Sequence, residues 1–250
     1  MNLELYSNRL GVTDGAQRDD LGGAVGTSGI SVSGLPPRAL GAAAGWSGGG
    51  GAAHGERDFA PLFDGSMDNW EMAGTGHFVV VDDRLESVPG DDLGLLWHTV
   101  PTPPDFVLRL SWLRWRHEDA SGIFVRFPRP PRGTGTNPAI VAATRGFEVQ
   151  IDEVGLPGAS SIHKTGAIFN ETGQQMTPRP ARPAAEWNDF EIVVQGQRYG
   201  VTLNGRPVTA FVNSDSQRGR PSAPKAPTFI GLQISPGSRV AFRNLRLKAL

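Results

Sequence analysis

The 250-residue chain contains no cysteine, which removes disulfides, thiolate catalysis and cysteine-held zinc from consideration. It lacks an excess of charge of either sign: 24 Lys and Arg against 25 Asp and Glu leave a formal net charge of −1. A nucleic-acid binder needs a basic face to neutralise phosphates, so no nucleic-acid partner is expected. No apolar run reaches about 18 residues, so no membrane span is expected. The start, MNLELYSNRLG, has neither the basic opening nor the apolar centre of a signal peptide. On that ground the chain is either cytoplasmic or part of a longer precursor. The five histidines (His54, His77, His98, His117, His163) show no close pairing, so no metal site is read from them. The glycines at 48–51 are not followed by Lys-Ser or Lys-Thr and do not form a phosphate loop.

What the chain does have is glycine and proline, 33 and 20 residues, which suit many short strands joined by turns. The glycines are unevenly spread. Residues 1–57 hold 14 of the 33 and only two aromatics, Tyr6 and Trp46. The run from Gly41 to Gly51 has almost no side chain to bury and cannot offset its ordering entropy. Residues 1–57 are therefore expected to be a flexible Gly-rich segment or linker that can tether another domain, with a surface-lying arm as the alternative.

From residue 58 onward the pattern changes to period-2 alternation, broken by turn residues about every eight to twelve positions. Phe106, Leu108, Leu110 and Trp112 fall on one strand face, with Arg109 and Ser111 on the other. Phe190, Ile192 and Val194 alternate with Glu191 and Gln195. Asn204-Gly205, between Val201-Thr-Leu203 and Arg206-Pro-Val208, suits the positive φ angles of a two-residue hairpin turn. The stretches 122–127, 146–152, 166–169, 229–233 and 240–247 read as further strands. About a dozen strands and no convincing helix imply an all-β domain over 58–250, built as two stacked antiparallel sheets.

Eight spaced segments then carry a family resemblance. They are Leu62-Phe-Asp-Gly65 with Trp70, Phe106-Val-Leu-Arg-Leu110, Ser121-Gly-Ile-Phe-Val-Arg126 and Gly146-Phe-Glu-Val-Gln-Ile-Asp152. Thr165-Gly-Ala-Ile-Phe169, Glu186-Trp-Asn-Asp-Phe190, Leu203-Asn-Gly205 with Gly231-Leu-Gln233, and Phe242-Arg-Asn244 complete the series. In this order the chain resembles the 3-keto-disaccharide hydrolase domain family. The resemblance implies a jelly-roll β-sandwich, concanavalin A-like or laminin-G-like, and a hydrolase acting on glycosides already oxidised to a ketone at C3. It also implies a secreted or periplasmic location and no required cofactor. A structural Ca²⁺ held by Asp and backbone oxygens stays open.

A C3 ketone acidifies the C2 hydrogen: a base removes it, the enolate expels the C1 oxygen, and water adds to the enone. Such a site needs a base at C2 and donors around the C3 oxygen. On the strand 147–153, Glu148, Gln150 and Asp152 share one face and Phe147, Val149 and Ile151 the other. With the resemblance, the catalytic candidates are Glu148 as base, with Arg126 and Gln150 orienting the sugar and stabilising developing charge. Asp152, Trp187, Arg243, His163 and Lys164 are the substrate-binding candidates. Polar residues alternating on a strand are more commonly its solvated face, and Asp152 also suits the capping of a turn. Glu148 and Asp152 stand about 13 Å apart at Cα on an extended strand, too far for an ordinary pair of glycosidase carboxylates. The oxidised glycoside is the expected partner. A carbohydrate-binding module lacking a working base, or an adhesion sandwich, are the competing functions. The inserts 128–144 and 213–227 are positioned to cover or reshape the groove.

Overall fold

Alternation of apolar and polar side chains at period two commits most of the chain to strands that are apolar on one face, and such faces must be stacked to leave water. The computed structural model describes residues 58–133, 135–155 and 160–250; the Gly-rich segment 1–57 lies outside the described residues. In chain order the strands are β1 (Ala60–Pro61), β2 (Trp70–Gly74), β3 (His77–Val81), β4 (Arg84–Val88) and β5 (Gly94–His98). Next come β6 (Phe106–Arg114), β7 (Ser121–Phe127), β8 (Phe147–Ile151), β9 (Gln175–Met176) and β10 (Asn188–Gln195). The last are β11 (Arg198–Leu203), β12 (Arg206–Val212), β13 (Phe229–Ile234) and β14 (Val240–Ala249).

The strands form two antiparallel sheets, the expected β-sandwich. One sheet runs β3-β4-β14-β6-β10-β11-β12-β9, with β1 also paired to β14; the other runs β2-β5-β13-β7-β8. In the larger sheet, cross-strand register sets Phe190 opposite Leu110, Ile192 opposite Leu108 and Val194 opposite Phe106. These apolar pairs face Leu96, Ile123, Val125, Val149, Ile151 and Leu232 of the smaller sheet in one continuous core. Asn204 and Gly205 take φ angles of +50° and +76°, and the β11–β12 hairpin turns on them as expected.

Strands β5, β7, β8 and β13 of the smaller sheet are buried on both faces, because a second apolar cluster lies on its outer side. Leu95 and Trp97 of β5, Phe124 and Phe127 of β7 and Phe229 of β13 form its floor. Its roof is a helix, α1 (Ile140–Arg145), whose Ala142 and Ala143 are small enough to lie close to the sheet. This helix departs from the helix-free expectation. Six residues are less than two turns, too short for a 3.6-residue period to show in the sequence. A local side chain anchored to a distant strand fixes its start, and a distant side chain fixes its end. Asn137 accepts the Ala139 N–H through Oδ1 and donates through Nδ2 to Leu93 O. Arg218 donates to Gly146 O and Ala143 O and lies 4.3 Å from the centre of the Phe147 ring. The 128–144 insert thus covers the apolar half of the smaller sheet's outer face. Residues 166–169 also depart from expectation. They follow the free edge of β8 through an isolated bridge and a few hydrogen bonds, such as Gln150 N–H to Ala167 O at 2.9 Å, without making a regular strand.

Candidate functional site

Phe147, Val149 and Ile151 point into the core, so Glu148 and Gln150 point outward from β8. Opposite them on β7, Gln150 pairs with Gly122 and Glu148 with Phe124. Glu148 leans diagonally over Gly122: a methyl group there would meet its Oε1 at 2.2 Å and its Cδ at 2.7 Å. The missing side chain at 122 is the space in which this carboxylate sits. Both residues are buried, Glu148 at 3% and Gln150 at 0% exposure. Neither end of the Gln150 amide has a hydrogen-bond partner among the described residues. A dry, unbonded amide costs about 1–3 kcal/mol, so the arrangement fits a position that a polar ligand or water completes.

The polar ground extends to Gln233, on the outer side of β13 beside Leu95, whose Oε1 accepts the Ser235 hydroxyl at 2.8 Å. Gln233 and Ser235 were not among the sequence candidates. The alternation of Ile230, Leu232 and Ile234 with Gly231 and Gln233 carried the available signal. At the free edge of β8, Phe169 donates its N–H to Glu148 O at 2.8 Å and places its ring in the cluster under α1. His163 stands edge-on to that ring at 5.5 Å, with Nε2 3.3 Å from Asn170 Oδ1. Asp152 accepts the N–H groups of Val154 and Gly155 through Oδ1, the turn-capping alternative. Lys164 donates to the carbonyls of Glu153 and Val154 across the same turn. Glu148, Gln150, Asp152, His163 and Lys164 therefore gather on and around one strand.

Arg126, Trp187 and Arg243 do not join them, contrary to the sequence expectation. The β7–β13 register shifts between Val125 and Phe127, which makes Arg126 an extra residue with φ of +55°. That bulge reverses the alternation: Phe127 turns to the outer cluster, and the Arg126 guanidinium goes to the end of the sandwich, fully buried. There it donates to the carbonyls of Pro104, Gly196 and Gly219 and to Asp105 Oδ1 at 3.1 Å. It lies 5.6 Å from the Tyr199 ring centre. Burial pushes the Tyr199 hydroxyl above its ordinary pKa, against the opposing pull of Arg126. Arg243 pairs with Ser111 in the larger sheet and stacks its guanidinium 4.0 Å from the Trp187 ring centre. Its neighbour Phe242 fills the core, so Arg243 and Trp187 occupy the far outer face of the sandwich. Among the described residues, no group of three His, Cys, Asp or Glu side chains is arranged to hold a metal ion.

A family model described as a 3-keto-alpha-glucoside-1,2-lyase-like domain matches residues 58–248. A search of curated proteins returns no match. Among solved structures, two proteins from Parabacteroides distasonis ATCC 8503, described as candidate glycosyl hydrolases, share the fold. One is 17% identical with a TM-score of 0.60, covering 78% of this chain and 94% of the other. The second is 23% identical with a TM-score of 0.58, covering 77% and 99%. A Bacillus subtilis protein with a galectin-like fold is similar at 15% identity and a TM-score of 0.51, covering 76% and 94%.

Proposed function

Because the chain belongs to the 3-keto-alpha-glucoside-1,2-lyase-like domain family, we propose that it cleaves glycosides carrying a ketone at C3, using the outer face of β8. Glu148 takes the C2 hydrogen as a proton, and the electron pair left behind forms the enolate of the ketone. The enolate collapses, the C1–O bond breaks with its electrons on the departing oxygen, and that oxygen takes up a proton. Water then adds to the enone and returns the free 3-keto sugar. The observation that carries this reading is the seating of the Glu148 carboxylate over Gly122 beside the Gln150 amide, which has no partner among the described residues. In this scheme Gln150 Nε2 donates to the C3 oxygen as charge develops there, a role Arg126 is placed too far away to take. His163, with an imidazole at the rim of the same strand, is the group available to the departing oxygen.

The test is incubation with a 3-keto-glucoside bearing a chromogenic aglycone, beside the unoxidised glucoside and the Glu148→Gln variant. Release from the keto compound alone, lost in the variant, is the expected result. No release from either, with saturable binding of the keto sugar, would replace the enzyme with a carbohydrate-binding module.

A further inference from the structure

A cavity lies at the edge of the smaller sheet opposite β8, where the segment before β2 folds against the end of β5. The segment is tied down locally. Gly65 turns with φ of +98°, Asp64 Oδ1 accepts the Ser66 N–H, Ser66 Oγ accepts the Asp68 N–H, and Trp70 Nε1 donates to Leu62 O. The cavity opens to solvent and has a volume of about 120 Å³, on the order of four water molecules, which seats one sugar ring at its mouth and not a chain.

Its lining is rich in acceptors and poor in donors. Asp64 and Asp68 bring carboxylates, and among the described residues no Lys or Arg lines the cavity. The Asp68 carboxylate has no hydrogen bond or ion pair among the described residues. His98 closes the inner wall, 8% exposed and edge-on to Trp70 at 5.0 Å. Its Nδ1 lies 3.3 Å from Val100 O; against a carbonyl that nitrogen carries the hydrogen, which leaves Nε2 as an acceptor. Nε2 has no hydrogen-bond partner among the described residues, although the ring lines the cavity.

We propose that this cavity binds a neutral polyhydroxylated ligand, a single sugar unit, through Asp64, Asp68 and His98. Hydroxyl groups donate to both carboxylates and to Nε2, Asn69 supplies an amide, and Leu62 and Trp70 give the carbon ring an apolar wall. An anion is excluded by the carboxylates. A metal ion is disfavoured because Asp64, Asp68 and His98 line the cavity without converging on one point as a ligand set, and no such set is found among the described residues. The site is independent of the proposed hydrolysis: it lies at β2, whereas Glu148 lies on β8, the other edge strand of the sheet.

The test follows the His98 ring nitrogens of the full chain by NMR during titration with D-glucose, D-galactose and methyl α-D-glucoside. A saturable shift in the millimolar range with at least one probe is expected. It should weaken at least about tenfold in Asp68→Ala, less in Asp68→Asn, and persist in Glu148→Gln. The Asp68 carboxylate is exposed and makes no hydrogen bond or ion pair among the described residues, so the variants keep the fold. Absence of saturation with all three sugars would overturn the proposal. So would equal affinity in Asp68→Ala, or a response to Ca²⁺ or ammonium ions without one to the sugars.

Discussion

Gly122→Ala is the sharpest perturbation of the proposed site. The new methyl group would stand 2.2 Å from Glu148 Oε1 and 2.6 Å from its Cγ, where ordinary contact needs about 3.5 Å or more. The carboxylate must therefore retreat by more than about 1 Å. The clash falls on the flexible end of a side chain rather than on backbone, so its cost to folding lies at the low end for overpacking, about 1 kcal/mol. In a folded unit of this size that lowers Tm by about 2–4 °C. Catalysis is far less tolerant. A reacting group misplaced by about 1 Å loses on the order of 100-fold in rate. Turnover of a chromogenic 3-keto-glucoside, measured beside a thermal melt, separates the two effects. A small drop in Tm with a rate loss of about two orders of magnitude is expected. Full activity in Gly122→Ala would refute the claim that the seat over Gly122 sets the position of the base.

Other substitutions test the remaining parts. Gln150→Leu removes an amide without partners among the described residues, so denaturant stability should hold or rise by about 1 kcal/mol, while kcat/KM on the keto substrate falls. Arg126→Met leaves Asp105 and three carbonyls without their donor; it should cost about 3 kcal/mol, or about 6–12 °C in Tm, with activity per folded molecule unchanged. Trp187→Ala, on the far face, should leave hydrolysis unaltered; a large loss of kcat/KM would contradict the separation of the two faces. Burial holds the His98 pKa below its ordinary 6.5, with the Val100 carbonyl pulling weakly the other way. The unfolded chain then binds a proton that the folded chain refuses. Stability is complete above about pH 6.5 and declines as pH falls towards the folded value. Denaturant midpoints from pH 7.5 to 5.5 should show this slope in the wild type and less of it in His98→Gln.

Much of the sandwich is legible in the sequence, because inward positions of its central strands are nearly all apolar at period two. Phe106 to Trp112 and Phe190 to Val194 announce both their strand character and their buried face, and the register confirms that they lie opposite one another. Asn204-Gly205 fixes a hairpin through local φ demands alone. Helix α1 is different in kind. Its six residues are held by Asn137 at one end and Arg218 at the other, two side chains more than 80 positions apart that no local window contains. The free edge of β8 is similar: its hydrogen bonds to 165–169 depend on tertiary approach rather than on strand propensity.

The candidate site divides along the same line. Alternation alone placed Glu148, Gln150 and Asp152 on a common face, since β8 pairs with β7 without a break. The same rule failed two strand positions away, because one extra residue between Val125 and Phe127 inverts every side chain beyond it. Nothing in Ile123-Phe-Val-Arg-Phe127 marks the bulge. Arginine at +55° is unusual, and the three carbonyls and one carboxylate that hold it come from residues 21 to 93 positions away. Gly122 shows the converse. A glycine inside a strand weakens it, and the compensation is a neighbouring side chain that needs the space. Between a strand glycine and a polar residue diagonal to it on the next strand, the sequence holds a testable hint of a seated functional group. Here that pair is Gly122 and Glu148.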